Sequence, residues 1–118
     1  MSAKTYAQWG GIILLVLGVL GLVLKSLGPF NTDLVEDLIH LAVGLLLVYA
    51  GFRGTDAQAA SWAQIFGIVF VVVGIVGFLL PKLFGLLPAG LGATDNIFHL
   101  VYGAVGVWAA RTYKPAMG

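Results

Sequence analysis

The sequence predicts an all-α integral membrane protein, a bundle of four transmembrane helices made of two tandem parallel-repeat helical hairpins. Three observations predict it. Hydrophobic residues make up 60% of the chain and charged ones 9%, against about 45–50% apolar and about 25% charged in an ordinary soluble domain. Long apolar runs recur with their charges at the ends. The first half of the chain is also echoed in the second.

A chain of 118 residues with a mean hydropathy of +1.03 forms one transmembrane domain, residues 1–118. Four spans use nearly all of it, so any chemistry has to sit inside the bundle. The net charge of +1, with no cluster of lysines or arginines, argues against nucleic-acid binding. With no cysteine in the chain, disulfides and thiolate metal sites are excluded.

The first helix is read from Ala7 to Leu24, uncharged and closed by Lys25. At 1.5 Å per residue it is long enough to approach the ~30 Å thickness of a hydrocarbon layer. With Lys4 as a basic flank it also has the form of a signal peptide. The stretch Lys25-Ser26-Leu27-Gly28-Pro29, however, offers no small-x-small cleavage site, and the repeat argues that the segment is retained. Gly28 to Thr32 reads as a turn. The second helix follows from about Asp33 to Phe52, stopped by Arg53-Gly54. Its uncharged part, Leu41 to Phe52, is too short to cross alone, so the turns carrying Glu36, Asp37 and His40 enter the interface or the protein interior. Gly54 to Gln58 is expected to be a polar connection. The third helix is read from Trp62 to Leu80, and the proline- and glycine-rich stretch Pro81 to Thr94 as an irregular or re-entrant loop. Asp95, with Thr94, is expected to cap the fourth helix, which runs to Arg111.

The repeat is explicit. Ala7-Gln8-x-x-Gly11-Ile12 matches Ala63-Gln64-x-x-Gly67-Ile68, and at the same offset Gly18 meets Gly74 and Gly21 meets Gly77. Glu36-Asp37-Leu38-Ile39-His40-Leu41-Ala42-Val43-Gly44 matches Asp95-Asn96-Ile97-Phe98-His99-Leu100-Val101-Tyr102-Gly103 at an offset three residues larger. The repeats are then about 6–53 and 62–111. With two spans each, they run in the same direction and are related by an axis along the membrane normal. Lys4, Arg53, Arg111 and Lys114 flank one side, Lys25 and Lys82 the other. By the positive-inside rule the termini are cytoplasmic, in a bacterial or archaeal cell membrane.

Gly11, Gly18 and Gly21 share one helix face, as do Gly67, Gly74 and Gly77. Small residues let helices approach closely in lipid, so these faces are read as helix contacts. Tyr6, Trp9, Trp62, Tyr49 and Trp108 are read as interfacial anchors.

The two histidine motifs hold the only histidines and most of the acids. Glu36 with His40 and Asp95 with His99 stand at i, i+4; Asp37 with His40 and Asn96 with His99 at i, i+3. Each set therefore lies on one helix face. Ionisable groups at membrane depth are costly and usually face inward to pair with one another. Three readings stay open for Glu36, Asp37, His40, Asp95, Asn96 and His99. One is a pair of structural polar clusters stapling the helices. The second is a binding or proton-handling site, since histidine changes charge near neutral pH. The third is a divalent metal or haem held on His40 and His99. No nucleophile lies within the motifs and no phosphate-cradling glycine loop is present, so no catalytic residue is assigned.

Asn96, His99, Leu100 and Gly103, continued by Ala104-Val105-Gly106-Val107, resemble the late Asn-x-x-His-Leu-x-x-Gly segment of small bacterial membrane proteins with the DUF4383 domain of unknown function. The resemblance covers chiefly the third and fourth spans and implies about four spans and no particular activity. In the first motif Asp37 stands where that pattern has Asn.

The sequence reading therefore favours a non-enzymatic membrane protein, embedded in the lipid bilayer and packed into a homo-oligomer or a larger membrane complex. A small ion or proton channel or transporter built on the paired histidines is the alternative. A metal- or haem-binding membrane protein is the third.

Overall fold

The computed structural model describes residues 1–24, 33–80, 82, 85 and 92–114. It is all-helical, with four helices: α1 (Ala3–Leu24), α2 (Leu34–Phe52), α3 (Asp56–Leu79) and α4 (Ala93–Arg111). The turn expected over 28–32 lies outside the described residues, as does most of the loop expected over 81–94.

Three helix starts fall earlier than the apolar runs suggest, and in each a polar side chain at or near the start bonds a backbone N–H. Ser2 caps α1 by accepting the Thr5 N–H at 3.0 Å, which moves its start from Ala7 to Ala3. Thr55 and Gln58 form a reciprocal capping box. The Gln58 N–H donates to Thr55 Oγ1 at 3.1 Å, and the Thr55 N–H donates to Gln58 Oε1 at 2.9 Å. The polar stretch expected to connect helices is therefore the first turn of α3, which begins at Asp56 rather than Trp62. In α4 the N-cap is Gly92, and Asp95 sits at the third helical position, where Oδ2 accepts the Gly92 N–H at 2.9 Å. Glycine has no side chain, so only this half of a capping box exists. Asp95 closes the helix start from inside rather than standing as the cap.

α1 and α2 form an antiparallel hairpin that closes backbone to backbone. A methyl group on Gly11 would lie 2.8 Å from the Val48 nitrogen and 2.9 Å from the Gly44 carbonyl oxygen. One on Gly18 would meet the Asp37 carbonyl oxygen at 3.0 Å and Leu41 Cγ at 2.8 Å. One on Gly21 would collide with the Asp37 carboxylate. At the other end, Gln8 Nε2 donates to the Gly51 carbonyl at 2.8 Å.

α3 and α4 close in the corresponding way. A methyl on Gly67 would lie 2.8 Å from the Gly103 carbonyl oxygen and 2.9 Å from the Val107 nitrogen. One on Gly74 would meet the Asn96 carbonyl oxygen at 2.9 Å and Leu100 Cγ at 2.7 Å. The offsets that align the two halves of the sequence align these contacts too. Gly77 is also buried.

The hairpins meet through side chains. The Tyr6 hydroxyl donates to the Tyr102 carbonyl at 2.9 Å, with the two rings 5.3 Å apart. Tyr6 lies over Gly106 and Tyr102 over Gly10. Tyr6, expected as an interfacial anchor, is buried at 3% exposure. Trp62 is stacked on Phe66 at 5.3 Å and packs against the core, whereas Trp9, Tyr49 and Trp108 are exposed.

The outer faces, unlike those of a soluble bundle, carry large apolar side chains such as Ile13, Leu45, Val72 and Val101. The interior joins a hydrophobic core that includes Leu14, Leu47 and Phe70 to the buried polar residues Glu36, Asp37, His40, Asp95, Asn96 and His99. α1, α2 and α3 are long and apolar enough to cross a membrane. α4 is as long as α2, at 19 residues, but carries Asp95, Asn96, His99 and Arg111 and is not among them.

Candidate functional site

Each His-Leu-x-x-Gly motif divides its work among helix faces. Gly44 and Gly103 sit at close backbone approaches between the helices of their hairpins, and Leu41 and Leu100 cover Gly18 and Gly74. His40 and His99 turn inward. They lie about 9 Å along the axis from the first residues of α2 and α4, at 1.5 Å per residue, on the end of the bundle opposite Ser2 and Thr112.

Glu36 Oε1 lies 3.7 Å from His40 Nε2 and 3.6 Å from His99 Nε2. One carboxylate oxygen thus faces an imidazole from its own hairpin and another from the second. One ligand atom from each of the three residues falls within 4.8 Å of the others. All three residues are buried, Glu36 and His40 at 7% exposure and His99 at 3%. The separations exceed hydrogen-bonding distance, so the three groups point at a shared space rather than bonding directly. Glu36 Oε2 and His99 Nδ1 are buried with no hydrogen-bond partner among the described residues, as is Asn96 Oδ1.

Aromatic rings wall the cluster. Phe70 of α3 stacks on His99 with centroids 5.5 Å apart and an interplanar angle of 20°. His40 meets His99 edge-on at 6.1 Å, and Phe98 approaches His99 at 5.8 Å. Tyr102 stands edge-on to Phe70 at 5.0 Å. Because Phe70 covers one face of His99, a porphyrin between the two histidines would require this packing to open. The geometry suits a proton or a single metal ion better than haem.

Of the six polar residues singled out by sequence, the structure brings together Glu36, His40 and His99. Asp37 turns to α1, against Gly21. Asp95, the repeat counterpart of Glu36, reaches back to its own helix start. Asn96 lies buried on the α4 face packed against Gly74. Sequence reasoning missed Phe70 and the Tyr6–Tyr102 contact. The signal for Tyr102 was its position three residues after His99, on the same helix face; Phe70 stood among apolar neighbours and gave none.

No family model matches the chain, and neither a curated protein nor a solved structure matches it.

Proposed function

We propose that the chain is a small, non-enzymatic, four-span integral membrane protein made of two tandem repeated hairpins, which meet around a buried cation site at Glu36, His40 and His99. The observation that carries this reading is the convergence of one carboxylate oxygen and two imidazole nitrogens from both hairpins in the bundle interior. Ionisable groups at such depth are expensive and typically mark ion or proton sites. The cation is a proton or a metal ion.

The apolar outer surface supports membrane insertion. α4 spans as the polar-faced partner of α3, since its acidic and imidazole groups turn inward and its exposed face carries Ile97, Val101 and Trp108. Assembly into an oligomer draws no support from the glycine faces, because Gly11, Gly18, Gly67 and Gly74 are occupied by the partner helix of the same hairpin.

Nuclear magnetic resonance of histidine-labelled protein in nanodiscs tests the site. The His40 and His99 ring signals should respond together to metal addition, or to acidification from about pH 8 to about pH 3, a range wide enough for buried imidazoles, and His99→Gln should alter the response of His40. Ring signals that stay fixed over that range, and also on metal addition, would refute the reading.

The termini are proposed to be cytoplasmic. Lys4, Arg53, Arg111 and Lys114 gather at the end where Thr112 Oγ1 lies 3.3 Å from the Met1 carbonyl. Since the chain has no native cysteine, a Ser2→Cys variant provides a single label site. It should react with an impermeant maleimide only after the cells are permeabilised; labelling of intact cells would reverse the orientation.

A further inference from the structure

We infer that Glu36, His40 and His99 form a divalent transition-metal site with one open coordination position, the ion bridging the two hairpins. This rests on the cation-site reading above and names the cation.

The donor set decides the class of metal. Two imidazole nitrogens and one carboxylate oxygen suit first-row divalent ions such as zinc, cobalt and nickel. Calcium takes about six to eight oxygen ligands, and the cluster supplies a single carboxylate. Soft copper(I) favours thiolates and thioethers, and the cluster supplies neither.

The spacing fits as well. Tetrahedral bonds of about 2.0–2.1 Å place neighbouring donor atoms about 3.3–3.4 Å apart. The carboxylate oxygen stands 3.7 Å from one imidazole nitrogen and 3.6 Å from the other, and the third separation is within 4.8 Å. Small side-chain rotations close these gaps onto one ion.

A second observation points to a ligand. Glu36 Oε2 is buried without a partner among the described residues, although an unmet polar group in a buried setting is destabilising. An ion held by both oxygens of the carboxylate engages it, while His99 coordinates through Nε2, the nitrogen that faces Glu36. Three protein donors leave a fourth tetrahedral position for water or another small ligand, as in open zinc sites.

The asymmetry of the repeat explains why there are three donors rather than four. Glu36 and Asp95 are equivalent in sequence, and both occupy the third position of their helices. The shorter Asp95 bonds its own helix start, while the extra methylene of Glu36 carries its carboxylate to the histidines.

The test uses the full chain in nanodiscs, stripped with a chelator and titrated with Co2+ and Zn2+. One Co2+ should bind per chain, with a visible absorption spectrum of four-coordinate cobalt, and Zn2+ should displace it. Glu36→Gln, His40→Ala and His99→Ala should each weaken binding by about 100-fold or more, beyond the 10–100-fold typical of losing a mere supporting group. Asp56→Asn, in the first turn of α3 at the opposite end of the bundle, should leave it unchanged.

Because an alanine variant can fail by misfolding, His99→Cys provides an independent readout. A thiolate-to-cobalt charge-transfer band appears only if residue 99 binds the ion directly. Binding that is indifferent to all three residues, or the absence of that band in a cobalt-loaded, folded His99→Cys protein, overturns the inference. Failure to bind either metal also overturns it, while coupled histidine titration would leave the cation-site reading standing. If neither behaviour is seen, both fall together.

Discussion

Gly103→Leu should destabilise the protein by about 3 kcal/mol or more, the upper end of the usual range for overpacking. A Cβ at this position would lie 2.5 Å from the Gly67 carbonyl oxygen and 2.7 Å from the Val71 nitrogen. Both are backbone atoms of α3, so no side chain can swing aside and the helices themselves must part. Parting also uncovers the close packing that drives helix association in lipid. Val101→Leu, on the exposed face of the same helix at 57% exposure, should stay within about 0.5 kcal/mol. Reversible unfolding in mixed micelles, followed by circular dichroism, measures both. Equal stability of the two variants would mean that α3 and α4 do not meet at Gly67 and Gly103.

Replacing the cluster with leucines tests whether it holds the bundle together or binds something. Triple replacement of Glu36, His40 and His99 should leave stability within about 1–2 kcal/mol or raise it, because apolar groups of similar volume often match or better a buried ionic network. His99→Leu alone should cost about 1–3 kcal/mol, since it leaves the Glu36 carboxylate with one imidazole in an apolar setting. The triple variant should lose all cation binding measured by calorimetry. A triple variant that unfolds would instead identify the cluster as a structural staple.

Much of the fold was legible because long apolar helices announce themselves by unbroken apolar runs and glycine spacing. The glycine faces of α1 and α3 mark the contact lines within each hairpin, and the sequence offsets carry over to the contacts of Gly11 and Gly67. Helix starts were less legible. Ser2, Thr55 and Gly92 begin helices with polar or small residues, which an apolar-run reading assigns to loops. At Thr55 the sequence held a usable signal, Thr-x-x-Gln, which is the capping box itself.

The site was legible only in part. Spacing placed Glu36 with His40 on one face, but the meeting of His40 and His99 depends on how α2 and α4 are rotated in the bundle. That rotation is fixed by long-range packing, including Leu41 on Gly18 and Leu100 on Gly74, and local spacing does not encode it. Nor does local sequence distinguish a Glu that reaches the centre from an Asp that folds back to its own helix start. The difference is one methylene.

The capping box at Thr55 has a consequence for how firmly the hairpins are joined. α2 ends at Phe52 and α3 begins at Asp56, so the tether between hairpins is 53–55, spanning at most about 10 Å when extended. A tether this short holds the second hairpin at a high effective concentration beside the first. The interface across the tether can therefore be assembled from weak, adjustable side-chain contacts and still remain closed. Affinity that two separate hairpins would need from their contacts is here supplied by connectivity.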